Sequence, residues 1–204
     1  MVGLSEHPSR QIGRPREFDM EHVLDAAVRL FRERGYNGAS IADLRAMTGL
    51  TAGSLYKAFQ DKRGLFVAAL DHYVARREQA LARHLGKART GREKIRATLS
   101  SYADVSHGPE GRIGCMVLAG LTDADTFDAA LADRFRQAIS SLERRFRNFI
   151  EQGIDDASLP DHLDASSTAQ YLVCVAEGLR ALGKRGAKRS EVLAIVEQAM
   201  RALR

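Results

Sequence analysis

The sequence predicts an all-α protein, in which an N-terminal three-helix unit with a helix-turn-helix is followed by a larger C-terminal helical bundle. Apolar residues recur at intervals of three and four along most of the 204 residues, and no segment alternates long enough to form a strand. Two short helical segments are separated only by Thr48-Gly49-Leu50. A three-residue turn that contains glycine is typical of a helix-turn-helix.

The composition indicates an ordinary globular protein, with 45% apolar and 28% charged residues. No apolar run is long enough to cross a membrane, and the N-terminus lacks the apolar core of a secretory signal. We therefore expect a cytoplasmic protein with no membrane partner. In a reducing compartment the distant Cys115 and Cys174 are not expected to form a disulfide.

The net charge of +5 is compatible with a polyanionic partner. The excess is not concentrated near the N-terminus, however, and the densest basic stretch, Arg76 to Arg96, is interpreted as a solvated helix face. Charge alone therefore does not identify the partner.

The N-terminal helices carry clear start and stop signals. Asp19 is predicted to cap a first helix that ends at Gly35. Ser40 caps a second helix, with Asp43 completing a capping box. Thr51 and Asp61 are predicted to cap the third and fourth helices.

Further apolar stripes predict the rest of the bundle, to about nine helices in all. Turn residues predict a loop over 106–111, and the longest stripe runs from Leu131 to Ile150. We divide the chain into a flexible basic arm (1–17), a helix-turn-helix domain (18–63) and a helical ligand-sensing and dimerisation domain (64–204).

The segment 13–73 closely resembles the DNA-binding domain of the tetracycline-repressor (TetR) family of bacterial regulators. The resemblance is carried by Arg34-Gly35-Tyr36, by Ser40-Ile41-Ala42, and above all by the stretch from Thr48 to Phe59 followed by Asp61-Lys62 and Leu65. It implies a transcriptional regulator that binds operator DNA as a homodimer, most simply a repressor that a small molecule releases.

The third helix has chemistry suited to the major groove, because its first residues are too small to fill a core and allow a close approach. Hydroxyls, lysines and helix N-termini can bind phosphates. Leu55 and Phe59 are interpreted as core, whereas Tyr56 could face DNA or the core and Lys57 could be a solvated lysine. The predicted DNA-binding residues are Arg14, Arg16, Ser40, Thr51, Ala52, Gly53, Ser54, Tyr56, Lys57 and Lys62.

Dimerisation would let two helix-turn-helix units read half-sites about 34–36 Å apart. The last two helices carry apolar stripes, with the small Ala176 and Gly178 allowing close packing, so we expect a four-helix interface; an intrachain core is the alternative. The predicted interface residues are Leu172, Val175, Leu179, Leu182, Val192, Ile195, Val196, Ala199 and Met200.

The middle of the chain would bind the small molecule, for which the resemblance gives no identity. The candidate ligand-binding residues, each of which could instead be core, are Leu99, Tyr102, Cys115, Met116, Phe127, Phe135 and Tyr171. A Gly-Cys step like Gly114-Cys115 occurs in family members that sense electrophiles, and Arg112 is a cation that could favour the thiolate. Cys174 lies in an apolar helix and is interpreted as core.

An enzyme is the rival class, but the sequence offers no catalytic motif, metal-ligand spacing or phosphate loop, so no catalytic residue, metal or cofactor is predicted. A purely architectural helical module is a third class, and it would show no sequence preference on DNA. An activator is a close variant of the repressor.

Overall fold

The structure, a computed structural model, describes residues 19–204, and this part of the chain is helical without any strand. The all-α prediction is thereby confirmed. The helices are α1 (Met20–Gly38), α2 (Ile41–Thr48), α3 (Ala52–Phe59), α4 (Lys62–Leu85), α5 (Gly91–Asp104), α6 (Gly108–Ile113), α7 (Met116–Thr122), α8 (Ala129–Asp155), α9 (Ala165–Arg185) and α10 (Arg189–Arg201), with a 3₁₀ turn at Ala124–Thr126.

The described residues thus hold ten α-helices, one more than the sequence pattern indicates. The additional helix is α6, so the prediction of a loop over 106–111 is wrong. Pro109 lies in its first turn, where the N–H that proline lacks would have no helical partner.

Side-chain caps fix the starts of the N-terminal helices as predicted. Asp19, Thr51 and Asp61 each accept a backbone N–H from the first turn of the following helix. Ser40 and Asp43 form the reciprocal capping box of α2. These local hydrogen bonds determine where α1 to α4 begin, and thereby where the short connections between them lie.

Two glycines with positive φ redirect the chain between these helices. Gly35 has φ 71° and interrupts the helical geometry near the end of α1, and Gly49 has φ 69° and ends α2 in the left-handed conformation. Such angles are strained for residues with a Cβ atom.

Two hydrophobic cores hold the molecule together. One is built by α5, α8, α9 and α10. The other joins α1–α3, which we call the head, to α4 and also includes Met116 of α7 with Leu131 and Phe135 of α8. The head therefore shares a core with α4–α10, which we call the body. The predicted domain boundary after residue 63 falls in the first turn of α4 and stays a prediction.

Candidate nucleic-acid interface and internal cavity

Helix α3 is anchored on one side and open on the other. Leu55 is 2% exposed and Phe59 is half-buried against the same core. Tyr56 is 47% exposed and Lys57 is exposed as well. The core interpretation is thus confirmed for Leu55 and Phe59. For Tyr56 the core alternative is excluded because the side chain is exposed, and its contact with DNA stays a prediction.

The first turn of α3 is small and accessible. A Cβ atom added to Gly53 would meet only the Oγ1 atom of Thr51, at 3.9 Å. Thr51 Oγ1 accepts the backbone N–H of Ser54 at 3.1 Å and lies 3.0 Å from the Ser54 hydroxyl oxygen. Ala52 is half-buried beside them. The backbone of this turn is therefore open to close approach by a large flat or grooved partner.

Two of the predicted contact residues already have intramolecular partners. The Ser40 hydroxyl donates to Asp43 at 2.7 Å, and this hydrogen bond is the largest cause that holds the pKa of the Asp43 carboxyl below its usual value. The Lys62 ammonium lies 4.5 Å from the centre of the Tyr36 ring. Both side chains thus make contacts within the protein: Ser40 stabilises the start of α2, and Lys62 of α4 packs on Tyr36 of α1. Arg14 and Arg16 lie outside the described residues.

Sequence reasoning missed Arg45. This exposed arginine in the last turn of α2 lines a shallow hollow with Ala42, Ala46, Gly49 and Thr51, between the two short helices. A helical projection of α2 gives the signal, because Leu44 is the buried residue of that helix and Arg45 lies about 100° around the helix from it, off the buried side.

Behind the head lies a cavity of about 770 Å³ in the body, within the range of small-molecule sites. Its walls come from α4, α5, α8 and α9, and Cys115 and Val117 line it too. Of the predicted ligand-binding residues, Tyr102 and Cys115 line it.

The other five candidates do not line this cavity. Leu99, Met116 and Phe135 are at most 2% exposed and belong to the two cores. Phe127 packs in an aromatic cluster, 5.6 Å from Tyr36 and 5.8 Å from Phe66 between ring centres. Tyr171 is 41% exposed on α9. The cavity therefore does not support these five candidates, and for Leu99, Met116, Phe127 and Phe135 the packing favours the alternative that they are core. An apolar stripe does not distinguish a filled core from the wall of a cavity.

Most charged groups of the cavity wall are paired. Arg134 of α8 lies 2.5 Å from Asp71 of α4, and Arg145 of α8 lies 2.7 Å from Glu78 of α4. Arg77 donates to the Ser101 carbonyl at 3.0 Å. These contacts join the helices on both sides of the cavity.

Glu177 also lines the cavity, but in the described part of the chain it is not hydrogen-bonded in the way these residues are. Its Oε2 atom is buried and has no hydrogen-bond partner among the described residues. Burial raises the pKa of its carboxyl group from 4.5 to about 6, although nearby Arg180 opposes the shift. The cavity wall therefore contains an acceptor that residues 19–204 leave without a donor.

A carbonyl group connects the cavity to the head. The Gly114 carbonyl accepts hydrogen bonds from Arg32 of α1, at 2.9 and 2.6 Å from Nε and Nη2, and from Arg180 of α9 at 2.7 Å. Arg180 is 2% exposed and also donates to the Val105 carbonyl. The Gly114 carbonyl oxygen thus joins the head, through Arg32, to α9, through the cavity-lining Arg180.

Cys115 lies next to this junction. Its sulfur accepts a hydrogen bond from the Tyr73 hydroxyl at 3.5 Å, and burial raises the pKa of Tyr73, which keeps that hydroxyl a donor. The cation that interacts with Cys115 is Arg180, and Arg112 is exposed. Cys174 is exposed on α9, so its assignment to the core is wrong.

The predicted interface residues divide into two groups. Val175, Leu182 and Ile195 are half-buried and reach the surface. The prediction is wrong for the others, because they are at most 2% exposed within a single chain: Leu172, Leu179, Val192, Val196, Ala199 and Met200. Ala176 is buried too, whereas nothing lies within 4 Å of a Cβ atom built on Gly178.

Within the described residues, no helix is both long and apolar enough to span a bilayer. The same part of the chain contains no cluster of three or more histidine, cysteine or acidic side chains suited to a metal ion.

Comparison with known proteins bears on both parts of the chain. Residues 23–69 match the family model of bacterial regulatory proteins of the tetR family, and residues 91–202 match that of a tetracyclin repressor-like C-terminal domain. Together the two matches cover the head and most of the body.

Three individual proteins illustrate the similarity. The HTH-type transcriptional repressor ComR of Escherichia coli is 28% identical over 193 residues, 93% of this chain and 90% of ComR. A cysteine mutant of the TetR family regulator CifR, complexed with 26 bp double-strand operator DNA, is 33% identical with a TM-score of 0.82, over 94% of this chain and 100% of that one. A TetR regulator from Chloroflexus aurantiacus is 25% identical with a TM-score of 0.80, over 89% and 91%.

Proposed function

Because the chain belongs to the tetR family of bacterial regulatory proteins, and is thus a DNA-binding transcriptional regulator, we propose that it is a repressor that a small molecule releases from its operator. The observation that carries the proposal is the open face of α3, backed by a cavity in the same molecule. The similar CifR structure, which holds operator DNA, supports the first half. Its place of action would be the cytoplasm.

The DNA contacts would centre on the first turn of α3. Thr51, Ala52 and Gly53 would approach base edges in the major groove, since no large side chain keeps them away. Tyr56 and Lys57 would bind phosphates from the exposed side of the same helix. To these we add Arg45, whose exposed guanidinium lies in the hollow beside α3.

The test is operator binding by the whole protein at fixed salt. A fragment from upstream of its own gene is compared with a scrambled fragment, for the native chain and for Tyr56→Ala combined with Lys57→Ala. Specific binding that the double variant loses would support the proposal. Arg83→Ala combined with Lys87→Ala, at exposed body positions, should bind like the native chain.

Equal binding to both fragments, followed by no enrichment in a random-sequence selection, would indicate an architectural module. A reporter that rises when the gene is deleted would distinguish repressor from activator.

A homodimer would form through the outer faces of α9 and α10. On α9, Tyr171 and Cys174 are exposed, and a Cβ atom built on Gly178 would have no neighbour within 4 Å. The half-buried Val175 and Leu182 lie on the same helix. This face differs from the predicted one by a rotation of the helix, because the residues with the strongest apolar pattern serve the chain's own core.

Ligand binding would act on DNA binding through the Gly114 carbonyl. A ligand shifts a conformational equilibrium only by its different affinities for the two states. Movement of α9 or of the cavity wall at Cys115 would alter the hydrogen bonds of Arg180 and Arg32 to that carbonyl. Because Arg32 belongs to α1, the orientation of the head would change with them.

Modification of Cys115 is a second trigger, favoured by its position in the cavity wall beside Tyr73 and Arg180. N-ethylmaleimide, which adds to a thiol to form a thioether, should then release the native chain from DNA but not Cys115→Ser. Cys174→Ser keeps the Cys115 thiol and should be released like the native chain. The double variant, Cys115→Ser with Cys174→Ser, also lacks the thiol on the proposed dimer face and should not respond. Failure of N-ethylmaleimide to release Cys174→Ser would exclude this trigger.

A further inference from the structure

The cavity offers one strong hydrogen-bond acceptor that the described part of the chain leaves unused. Within the described residues, the buried Oε2 atom of Glu177 has no hydrogen-bond partner. A buried polar group without a partner costs free energy, and such a group at a binding site is commonly completed by the ligand. A carboxylate accepts hydrogen bonds and attracts positive charge, so the missing partner is a donor.

The neighbouring charged groups do not supply that donor. The Arg180 guanidinium is directed at the carbonyls of Val105 and Gly114, and Arg77 is directed at Ser101. Arg134 and Arg145 pair with acidic residues of α4. An anionic ligand would have to displace these contacts and would place a second negative charge beside Glu177.

The remaining wall is suited to the apolar part of a ligand. The apolar part of the lining consists of Leu70, Val74, Leu81, Val117, Ile139 and Leu142. Tyr73 and Tyr102 also line the cavity, but each ring already has an arginine over it: Arg32 lies 5.3 Å from the centre of the Tyr73 ring and Arg77 lies 5.8 Å from the centre of the Tyr102 ring. The positive charge of a ligand is therefore assigned to the Glu177 carboxylate and not to these rings.

We propose that the ligand of this cavity is a hydrophobic amine, whose protonated nitrogen binds the Glu177 carboxylate while its apolar part fills the space between α4 and α8. This inference rests on the proposed function in that it takes the cavity for the sensing site. Glu177 lies one helical turn before Arg180 on α9, so a nitrogen bound there acts on the residue that holds the Gly114 carbonyl.

The experiment is calorimetric titration of the full chain with 1-naphthylmethylamine, cyclohexylamine and n-octylamine. Each amine is compared with the alcohol and the carboxylate of the same carbon skeleton. The native chain should bind at least one amine roughly tenfold or more tightly than its alcohol, since a hydrogen bond between charged groups contributes that much. Glu177→Gln should lose this preference while binding the alcohol unchanged.

Two further variants keep the result clear. Glu78→Gln removes a carboxylate of the same wall that already has a partner, so it should keep the amine preference. Glu177→Asp retains the charge and should keep part of the preference for the amine, and an aspartate variant that binds amine and alcohol equally would contradict the role of the charge. Failure of every amine to bind the native chain at millimolar concentration would overturn the proposal. Equal binding of alcohols, tighter binding of carboxylates or indifference to Glu177→Gln would overturn it too.

Operator release is measured separately, by fluorescence anisotropy of labelled DNA. Amine binding that depends on Glu177 but leaves the operator bound would uphold the site and contradict the sensing role in the proposed function. Release by ligands that do not depend on Glu177 would uphold the proposed function and overturn this inference.

Discussion

At the scale of single residues, a small number of buried polar groups connect parts of the chain that are far apart in sequence. Arg32 and Gly114 are 82 residues apart, and Arg180 and Gly114 are 66 apart, yet both arginines donate to the same oxygen. Charged donors on a partly buried carbonyl form stronger hydrogen bonds than neutral donors do. These contacts therefore contribute to stability as well as to communication.

Replacement of Arg32 tests that contribution. We expect Arg32→Met to lower the free energy of unfolding by about 1.5–3 kcal/mol, because it removes charge-assisted hydrogen bonds from a side chain that is 7% exposed. The measurement is urea unfolding followed by circular dichroism. Arg29→Met is the matched control on the same helix, where the exposed pair with Glu33 should contribute no more than about 0.5 kcal/mol. Equal losses in the two variants would contradict the role given to Arg32.

The raised pKa of Glu177 makes stability depend on pH with a definite sign. Its pKa is about 6 in the folded chain against 4.5 ordinarily, so the folded state binds the proton more tightly. The resulting stabilisation is complete below pH 4.5 and is lost as the pH rises through about 6. Glu177→Gln should thus gain up to about 2 kcal/mol relative to the native chain between pH 4.5 and about 7.5. Urea titrations across this range measure it. The exposed Glu151→Gln should show no such gain.

At the scale of elements, the helix-turn-helix could be predicted because its signals are local. The caps at Ser40, Thr51 and Asp61 and the turn at Gly49 depend on neighbours within four residues. The roles of Glu177, Arg32 and Arg180 depend on contacts across the fold, which no local pattern contains. The predicted interface on α9 and α10 is limited for a related reason: periodicity shows that a helix has a buried side, but not whether the core or a second chain covers it.

Two glycines in adjacent elements should respond in opposite ways to alanine. Gly49→Ala should lower the free energy of unfolding by about 1–2 kcal/mol, because φ is 69° there. Gly53→Ala should leave stability unchanged or raise it by up to about 1 kcal/mol, since its Cβ atom has space and alanine favours helix. Its methyl group should nevertheless weaken operator binding, because it projects from the face that approaches the groove. Thermal unfolding and anisotropy together measure both effects. Full operator affinity in Gly53→Ala would contradict the close approach of this turn.

At the scale of the whole molecule, the head and body are joined by a shared core and by aromatic packing. Phe127 and Phe135 of the body contact Phe66, which also contacts Phe31 of α1. Gly120 makes this possible, since a Cβ atom there would lie 2.2 Å from the Phe135 ring. Rigid packing of this kind transmits displacement instead of absorbing it.

The assembly of two chains can be tested on the outer face of α9. Gly178→Arg should convert the dimer to a monomer at micromolar concentration, because the arginine would occupy the space that the partner helix requires. Within one chain that space is open, so circular dichroism should remain native. Ala82→Arg at an exposed position of α4 should leave the dimer intact. Light scattering after size exclusion measures the mass, and an unchanged dimer in Gly178→Arg would place the interface elsewhere.

The two ion pairs between α4 and α8 have a consequence for the speed of the response. Asp71–Arg134 and Glu78–Arg145 border the cavity, and their acidic partners are 61% and 52% exposed. Pairs exposed to this degree are weak and are screened by salt. They contribute little to holding α4 and α8 together, so a molecule that enters the cavity between these helices separates them at small cost in free energy. Higher ionic strength should therefore quicken the entry of a molecule into the cavity.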